Sequence, residues 1–439
     1  MPHETSVPTP RRTPSEGAHP SGAAPNDPHG DFWTAREVLA HLHTFARARR
    51  AAPWAVLGVA LARVVVATPP RVVLPALVGS DASLNIFVAI VGASGAGKGA
   101  AMGAGTDALD VGDLQSAPLG SGEGLTRVFV HRVNGVLEQH TDAVLASVGE
   151  VDTLTALTGR AGATLQPVLR NAYMGEEFGF GYADSNKRLV VGAHRYRLAL
   201  LVGVQPLRAG GLMADADGGT PQRLLWLPAT DPHAPDTPPD LPAPMHWSPP
   251  PLPSSDADVE RIRLSVCSEA RATVDEARLQ RIRGLSDALQ SHALLSRLKV
   301  AAALGLLDGR LEVSAEDWQL ASAVMMLSDA TGAKVVAELH DKERGRNDAR
   351  AAAAADRAQQ VTERREGVQT SRVARNILRH LAVKAEGMTE AQLRRATAAR
   401  DRPLFCDAVA QLLEARQITV QILTPERGAV RRRYRTTQA

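Results

Sequence analysis

Leu84-Asn85-Ile86-Phe87-Val88-Ala89-Ile90-Val91-Gly92-Ala93-Ser94-Gly95-Ala96-Gly97-Lys98-Gly99 is the stretch on which the reading of this chain turns. Its first half is a short, unbroken apolar run, the composition of a strand buried on both faces of a parallel sheet. Its second half is a glycine-rich turn that opens a helix-compatible segment. Strand, glycine turn and helix in that order are the setting of a phosphate-binding loop. The glycines let backbone N–H groups wrap a phosphate, the helix N-terminus adds positive dipole, and Lys98 reaches the terminal phosphates. A Gly/Ala turn that merely contains a lysine is the alternative, and the strand in front of it argues against that. Gly92, Ala93, Ser94, Gly95, Ala96, Gly97, Lys98 and Gly99 are therefore the expected nucleotide-binding residues.

Two more apolar runs follow, Ala143 to Val148 and Leu198 to Val204, separated by helical stretches. This spacing predicts an α/β fold with a parallel sheet. The first run closes on Gly149-Glu150, with glycine where an aspartate would precede the glutamate. Glu150 is then the candidate for polarising an attacking water, and Asp152 is the nearest carboxylate to support Mg²⁺. Gly99 departs similarly, since a Ser or Thr hydroxyl there would meet the metal. Binding is thus more firmly indicated than turnover. Farther on, Gly218-Gly219-Thr220-Pro221-Gln222-Arg223 places an arginine between a glycine turn and another apolar strand. Such a guanidinium is suited to reach a neighbouring subunit's γ-phosphate, with a structural salt bridge as the competing role.

The 439 residues include 44% apolar ones, enough for two or three domains. Cys267 and Cys406 supply neither a disulfide scaffold nor a four-ligand zinc site, which fits a reducing, cytoplasmic setting. Ala52 to Ala67, interrupted by Arg63, is too short to span a bilayer, and no apolar segment follows Arg11-Arg12, so no membrane is expected. Residues 1–30, with seven prolines before residue 29, read as a disordered tail. Residues 31–80 form a helical segment in which Val38, Leu39, Leu42, Phe45 and Ala46 recur at helical spacing. The α/β core is expected over 81–231, a proline-rich surface connector over 232–258, a helical lid over 259–340, and a charged helical linker over 341–370. The lid holds separate helical patterns, among them Glu316 to Leu327.

The net charge of +3 conceals an asymmetry: residues 371–439 carry 14 Lys and Arg against six Asp and Glu. A basic end on an acidic body suggests an anionic partner, most simply nucleic acid. Three helical patterns, the first near Val373 to Val383, precede an alternating Ile418, Val420 and Ile422 that returns through Gly428 to Tyr434. Another hairpin is expected where Phe178-Gly179-Phe180 alternates, Asp184 to Asn186 turn, and Leu189 to Val191 resume, with Lys187 and Arg188 near its tip.

This order of parts resembles the P-loop ATPases of helicase and replication-protein type carried by phages, plasmids and integrative elements, in particular a family of actinobacterial mobile elements. The resemblance spans roughly residues 80–335. It rests on Gly92 to Gly99, Pro118 to Gly124, Gly149 to Leu154, Gln205-Pro206, Gly218 to Arg223, and the lid from Ser296-Arg297-Leu298 to Trp318. It implies an AAA+/helicase-like P-loop NTPase core with a helical lid, ATP and Mg²⁺ as cofactors, and DNA as partner. It also implies a homo-oligomeric ring of hexameric type. Gln205 would sense the γ-phosphate, or else cap its strand, and Arg297 would touch nucleotide within its own chain. In such rings the Lys187–Arg188 hairpin projects into the channel and grips DNA by charge, against the plainer role of a solvated surface hairpin. The last 70 residues resemble a winged helix whose third helix would enter the major groove. Arg400 and Arg402 would stand at its entrance, and Arg431, Arg432, Arg433 and Arg435 on the wing would contact phosphate. Two functions compete: an ATPase that translocates on or remodels DNA, and a slowly hydrolysing, nucleotide-gated DNA-binding adaptor or initiator. A P-loop kinase is disfavoured by the basic terminus.

Overall fold

A computed structural model describes residues 29–158, 164–181, 188–215, 218–253, 261–285, 289–423 and 431–437. The expected tail up to residue 28, Lys187 with the hairpin tip, and Gly428 lie outside these. The chain divides into two compact units, Met1–Asp341 and Lys342–Ala439.

The first unit is built on five parallel strands, β1 (Ile86–Val91), β2 (Ser116–Pro118), β3 (Ala143–Val148), β4 (Arg197–Val204) and β5 (Leu224–Pro228). They lie side by side in the order β5-β1-β4-β3-β2. The architecture is α/β, as the alternation of apolar runs and helical stretches predicts. The reason the runs are unbroken is visible in β1. Ile86, Val88 and Ile90 enter one core, whereas Phe87, Ala89 and Val91 enter the other. With both faces covered, the period of two is erased from the sequence.

Helices α1 (Glu37–Ala48), α2 (Pro53–Ala67), α3 (Lys98–Ala108) and α4 (Leu289–Leu307) also belong to this unit. The stripe buried by α1 is Val38, Leu39, Leu42, Phe45 and Ala46, the set selected by helical spacing. All of α2 but its last residue is buried, Arg63 included, because it runs between the sheet and its helical neighbours. A helix apolar all round is a core helix. The following helix, α5 (Ala315–Ala382), crosses the boundary between the units. It joins into one element what the sequence presents as separate helical patterns. By length and composition it contains a window apolar enough to cross a membrane, a third of it buried. Trp318, Ala321, Val324 and Val335 of this helix pack into the two cores of the first unit.

Two local expectations change. The proline-rich segment is no simple surface connector, since Met245–His246 pairs with Leu109–Asp110 and Trp247 is buried, its Nε1 donating to the Leu306 carbonyl at 2.9 Å. A hairpin of Val130–Val133 with Val136–Gln139 is present that the sequence reading did not anticipate. Its signal was the Asn134-Gly135 turn, where both residues have positive φ. The expected hairpin is found as well, Phe178–Phe180 pairing antiparallel with Leu189–Val191.

In the second unit, the end of α5 packs with α6 (Glu390–Ala396), α7 (Phe405–Glu414) and a small antiparallel sheet. The strands are β6 (Met388–Thr389), β7 (Ile418–Leu423) and β8 (Arg431–Thr436), in the order β6-β8-β7. Thr389 and Gln392 form a reciprocal capping box that starts α6. Val373, Ile377, Leu393, Phe405, Leu412 and Tyr434 are among the residues that form the core.

Candidate functional site

The glycine loop leaves β1 between two neighbours that fix its root. Gly92 N donates to the Val204 carbonyl at 2.9 Å, and Ala229 N to the Val91 carbonyl at 2.7 Å. The loop then crosses exposed Ala93, Ser94 and Gly95 to Gly97, the N-cap of α3, at φ 85° and ψ 16°. A side chain at Gly97 would be strained in this left-handed conformation. No side chain caps α3, so its first-turn N–H groups stay available to an anion. Lys98 Nζ donates to the carbonyls of Gly92 and Ala93, each at 2.9 Å.

The sheet brings two more residues to this edge. β4 is in register with β1 to its end (Val204 opposite Val91), which places Gln205 level with Gly92. Gln205 Nε2 donates to Glu150 Oε1 at 3.2 Å. The segment after β3 closes over β4 because Gly203 has no side chain: a Cβ there would stand 2.1 Å from the Gly149 carbonyl. Lys98 is near enough that the Glu150 charge favours its ammonium, although burial is the larger influence and lowers its pKa. Lys98, Glu150 and Gln205 therefore converge, from three different elements, beside the loop.

Asp152 is otherwise engaged, in an exposed ion pair with Arg208. Among the described residues no group of three or more His, Cys, Asp or Glu is placed to hold a metal. Gly99 and Gly149 add neither a hydroxyl nor a carboxylate. Among the described residues the donor set thus suits a phosphate chain and fits a protein-bound Mg²⁺ poorly.

Beside Gly92 and Ala93 lies a cleft of about 330 Å³, walled by Trp33, Trp54 and His29 and by Thr331 and Lys334 of α5. Trp54 packs against Trp33 and His29 with ring centroids 4.6 and 5.1 Å apart. The sequence reading missed this wall. Its only trace was the clustering of Phe32, Trp33 and Trp54 in a chain with 4% aromatic residues.

Other expected site residues lie elsewhere. Arg223 precedes β5, where Leu224 pairs with Phe87, whereas the loop departs beyond Val91, opposite Pro228. It stands at the end of the sheet where the strands begin, and within one chain it does not meet Lys98. Its Nη1 donates to the carbonyls of Gly218 and Gly219 at 3.1 and 2.7 Å. Arg297 is stacked on the Trp318 ring, 3.6 Å from its centroid, and donates to the Trp318 carbonyl at 2.9 Å, so its role is to pack α4 on α5. Exposed Arg188 gives its carbonyl to Arg132 Nη2 at 3.1 Å, and Lys187 is outside the described residues. In the second unit Arg400 is exposed 3.9 Å from Asp401, and Arg402 Nε donates to the Thr397 carbonyl at 3.4 Å. The four arginines Arg431, Arg432, Arg433 and Arg435 all lie on β8.

No protein-family model matches the chain, and a search of curated proteins likewise returns no match.

Proposed function

We propose that the first unit binds ATP at the Gly92–Gly99 loop, and that the protein is an ATP-driven, DNA-working P-loop NTPase of AAA+/helicase type. The observation that carries this reading is the convergence of Lys98, Glu150 and Gln205 on an uncapped helix N-terminus at one edge of a parallel sheet. The edge where parallel strands end is where open α/β sheets take ligands. Phosphates replace the carbonyls as partners of Lys98, the loop N–H groups hold their oxygens, and the base enters the cleft beside Gly92 and Ala93, whose wall includes the largely buried Trp33 and Trp54. Glu150, whose charge acts on Lys98, orients a water against the terminal phosphate in this reading, and catalysis is mainly positioning and charge stabilisation. Arg223 acts, in this reading, on the nucleotide of a neighbouring subunit in a ring.

A second reading has its own support. Glu150 is held by Gln205, Asp152 by Arg208, and neither Gly99 nor Gly149 assists a metal. A nucleotide-gated DNA-binding adaptor or initiator with slow turnover fits those facts. Measuring ATP turnover with and without DNA separates the two: stimulation by DNA supports the motor, and tight binding with little turnover supports the adaptor. Lys98→Ala should remove most ATP affinity from a folded protein. Undiminished affinity in that variant would overturn the site.

A further inference from the structure

We propose that the second unit holds duplex DNA by a row of arginines on the open face of its sheet, and not by inserting α7 into a groove. The inference rests on the DNA-working reading above and names how the DNA is held. Along β8 successive side chains point to opposite faces. Tyr434 is buried in the core, and Arg432 lies on its side of the strand, close enough to bear on the Tyr434 hydroxyl. Arg431, Arg433 and Arg435 therefore share the other face, opposite Leu423, Gln421 and Thr419 of β7.

The chemistry of that face is one-sided. Arg431 and Arg435 are exposed, and among the described residues none of the three arginines has an ion pair. Neither Asp nor Glu occurs among their strand neighbours Thr389, Thr419, Gln421 and Leu423, and Arg435 Nε donates to the backbone carbonyl of Glu386 at 3.1 Å, which leaves its terminal nitrogens for a phosphate. Arginines two residues apart on a strand recur at about 6.6 Å, so the row spans about 13 Å. One DNA strand offers a phosphate every ~3.4 Å of helix axis, and a guanidinium grips phosphate with two parallel donors.

α7 presents the opposite character. Its exposed residues are Cys406, Asp407, Ala410, Gln411 and Glu414, which include two acids and no cation. Inserted into a groove, it would place carboxylates against phosphates. The exposed Val420 and Ile422 lie on the Tyr434 side of β7, so half-buried Leu423 is the one apolar neighbour paired with the three arginines on β7, too little to anchor a protein in a lipid surface.

The test is binding of fluorescent duplex DNA to the full chain across a salt series. Replacing Arg431, Arg433 and Arg435 together by Gln should reduce the slope of log affinity against log salt by about 2 to 3, near 0.9 per phosphate contact. Arg431→Gln and Arg435→Gln alone, at exposed positions, should each reduce it by about one. These single variants decide the matter if the triple variant fails to fold. Gln411→Ala on α7 should leave the affinity unchanged at every salt concentration. An unchanged slope in the arginine variants overturns the proposal while leaving DNA binding by the chain intact. So does a loss confined to Gln411→Ala, or equal arginine-dependent binding to phosphatidylserine vesicles. No DNA affinity in the parent chain overturns both the proposal and the DNA-working reading.

Discussion

At the scale of single residues, the site depends on which acid is free to act. Glu150 and Asp152 both follow β3, but Asp152 is paired with Arg208, whereas Glu150 sits on the amide of Gln205 and within the field of Lys98. Glu150→Gln is therefore expected to keep ATP binding and to lose about 10²-fold or more in turnover, measured by phosphate release. Asp152→Asn should lose far less. The two glycines that depart from the usual pattern are open to change, since a Cβ at Gly99 or Gly149 would meet nothing within 4 Å. The double variant Gly99→Thr with Gly149→Asp should fold and hydrolyse ATP faster at limiting Mg²⁺ than the parent. Equal Mg²⁺ dependence in the two proteins would mean that the protein does not limit metal binding. Lys98 and Glu150 were legible from residue type and order. Their convergence with Gln205 was not, because it depends on β4 lying between β1 and β3.

Elements explain why other candidates were misplaced. A basic residue near the start of an apolar helix reads equally as a nucleotide contact and as a packing group, and Arg297 is the second. Its planar fork lies on Trp318 and fastens α4 to α5. Arg297→Met should lower stability by roughly 1 kcal/mol, the scale of a partly exposed cation–π contact, and leave ATP affinity unchanged. Urea titration and nucleotide binding on the same preparations check both halves. The missed hairpin at Val130–Gln139 has a related cause. Val136 is exposed and carries none of the burial alternation that marks a strand, so only its Asn-Gly turn spoke for it. The proline-rich segment read as a connector because composition was its only signal, whereas Trp247 anchors it to the core from a single position.

At the scale of the first unit, one buried lysine ties together elements far apart in sequence. Lys299 on α4 is fully buried, donates to the Asn85 carbonyl at 2.9 Å and to the Tyr173 carbonyl, and lies 3.5 Å from the Tyr173 ring centre. Burial, with Arg197 and Arg223 nearby, pushes its pKa well below 10.5. Below pH 10.5 the unfolded chain then carries a proton at this position that the folded chain, above its own lowered pKa, does not. Stability accordingly rises with pH in that window, by up to about 1.4 kcal/mol per pH unit. Lys299→Met should flatten the rise when unfolding free energies of variant and parent are compared from pH 7 to pH 9.5, at ~25 °C. Parallel curves would show that the lysine is charged in the fold.

The sequence alone determined the α/β class, the strand–loop–helix unit at Leu84–Gly99, the buried stripe of α1 and the basic character of the last 70 residues. Each is written in contiguous residues through composition, spacing or backbone chemistry, and so needs no partner to be read. Tertiary structure decided what depends on distant segments meeting. Strand order set Gln205 beside Glu150 and put Arg223 at the opposite end of the sheet from Lys98. The helical N-terminus supplied the aromatic wall beside the loop. Pairing of β8 with β7 turned the four arginines of Arg431 to Arg435 into three on an open face and one beside Tyr434. A strand's face is fixed by what packs beneath it, and that information lies in other parts of the chain.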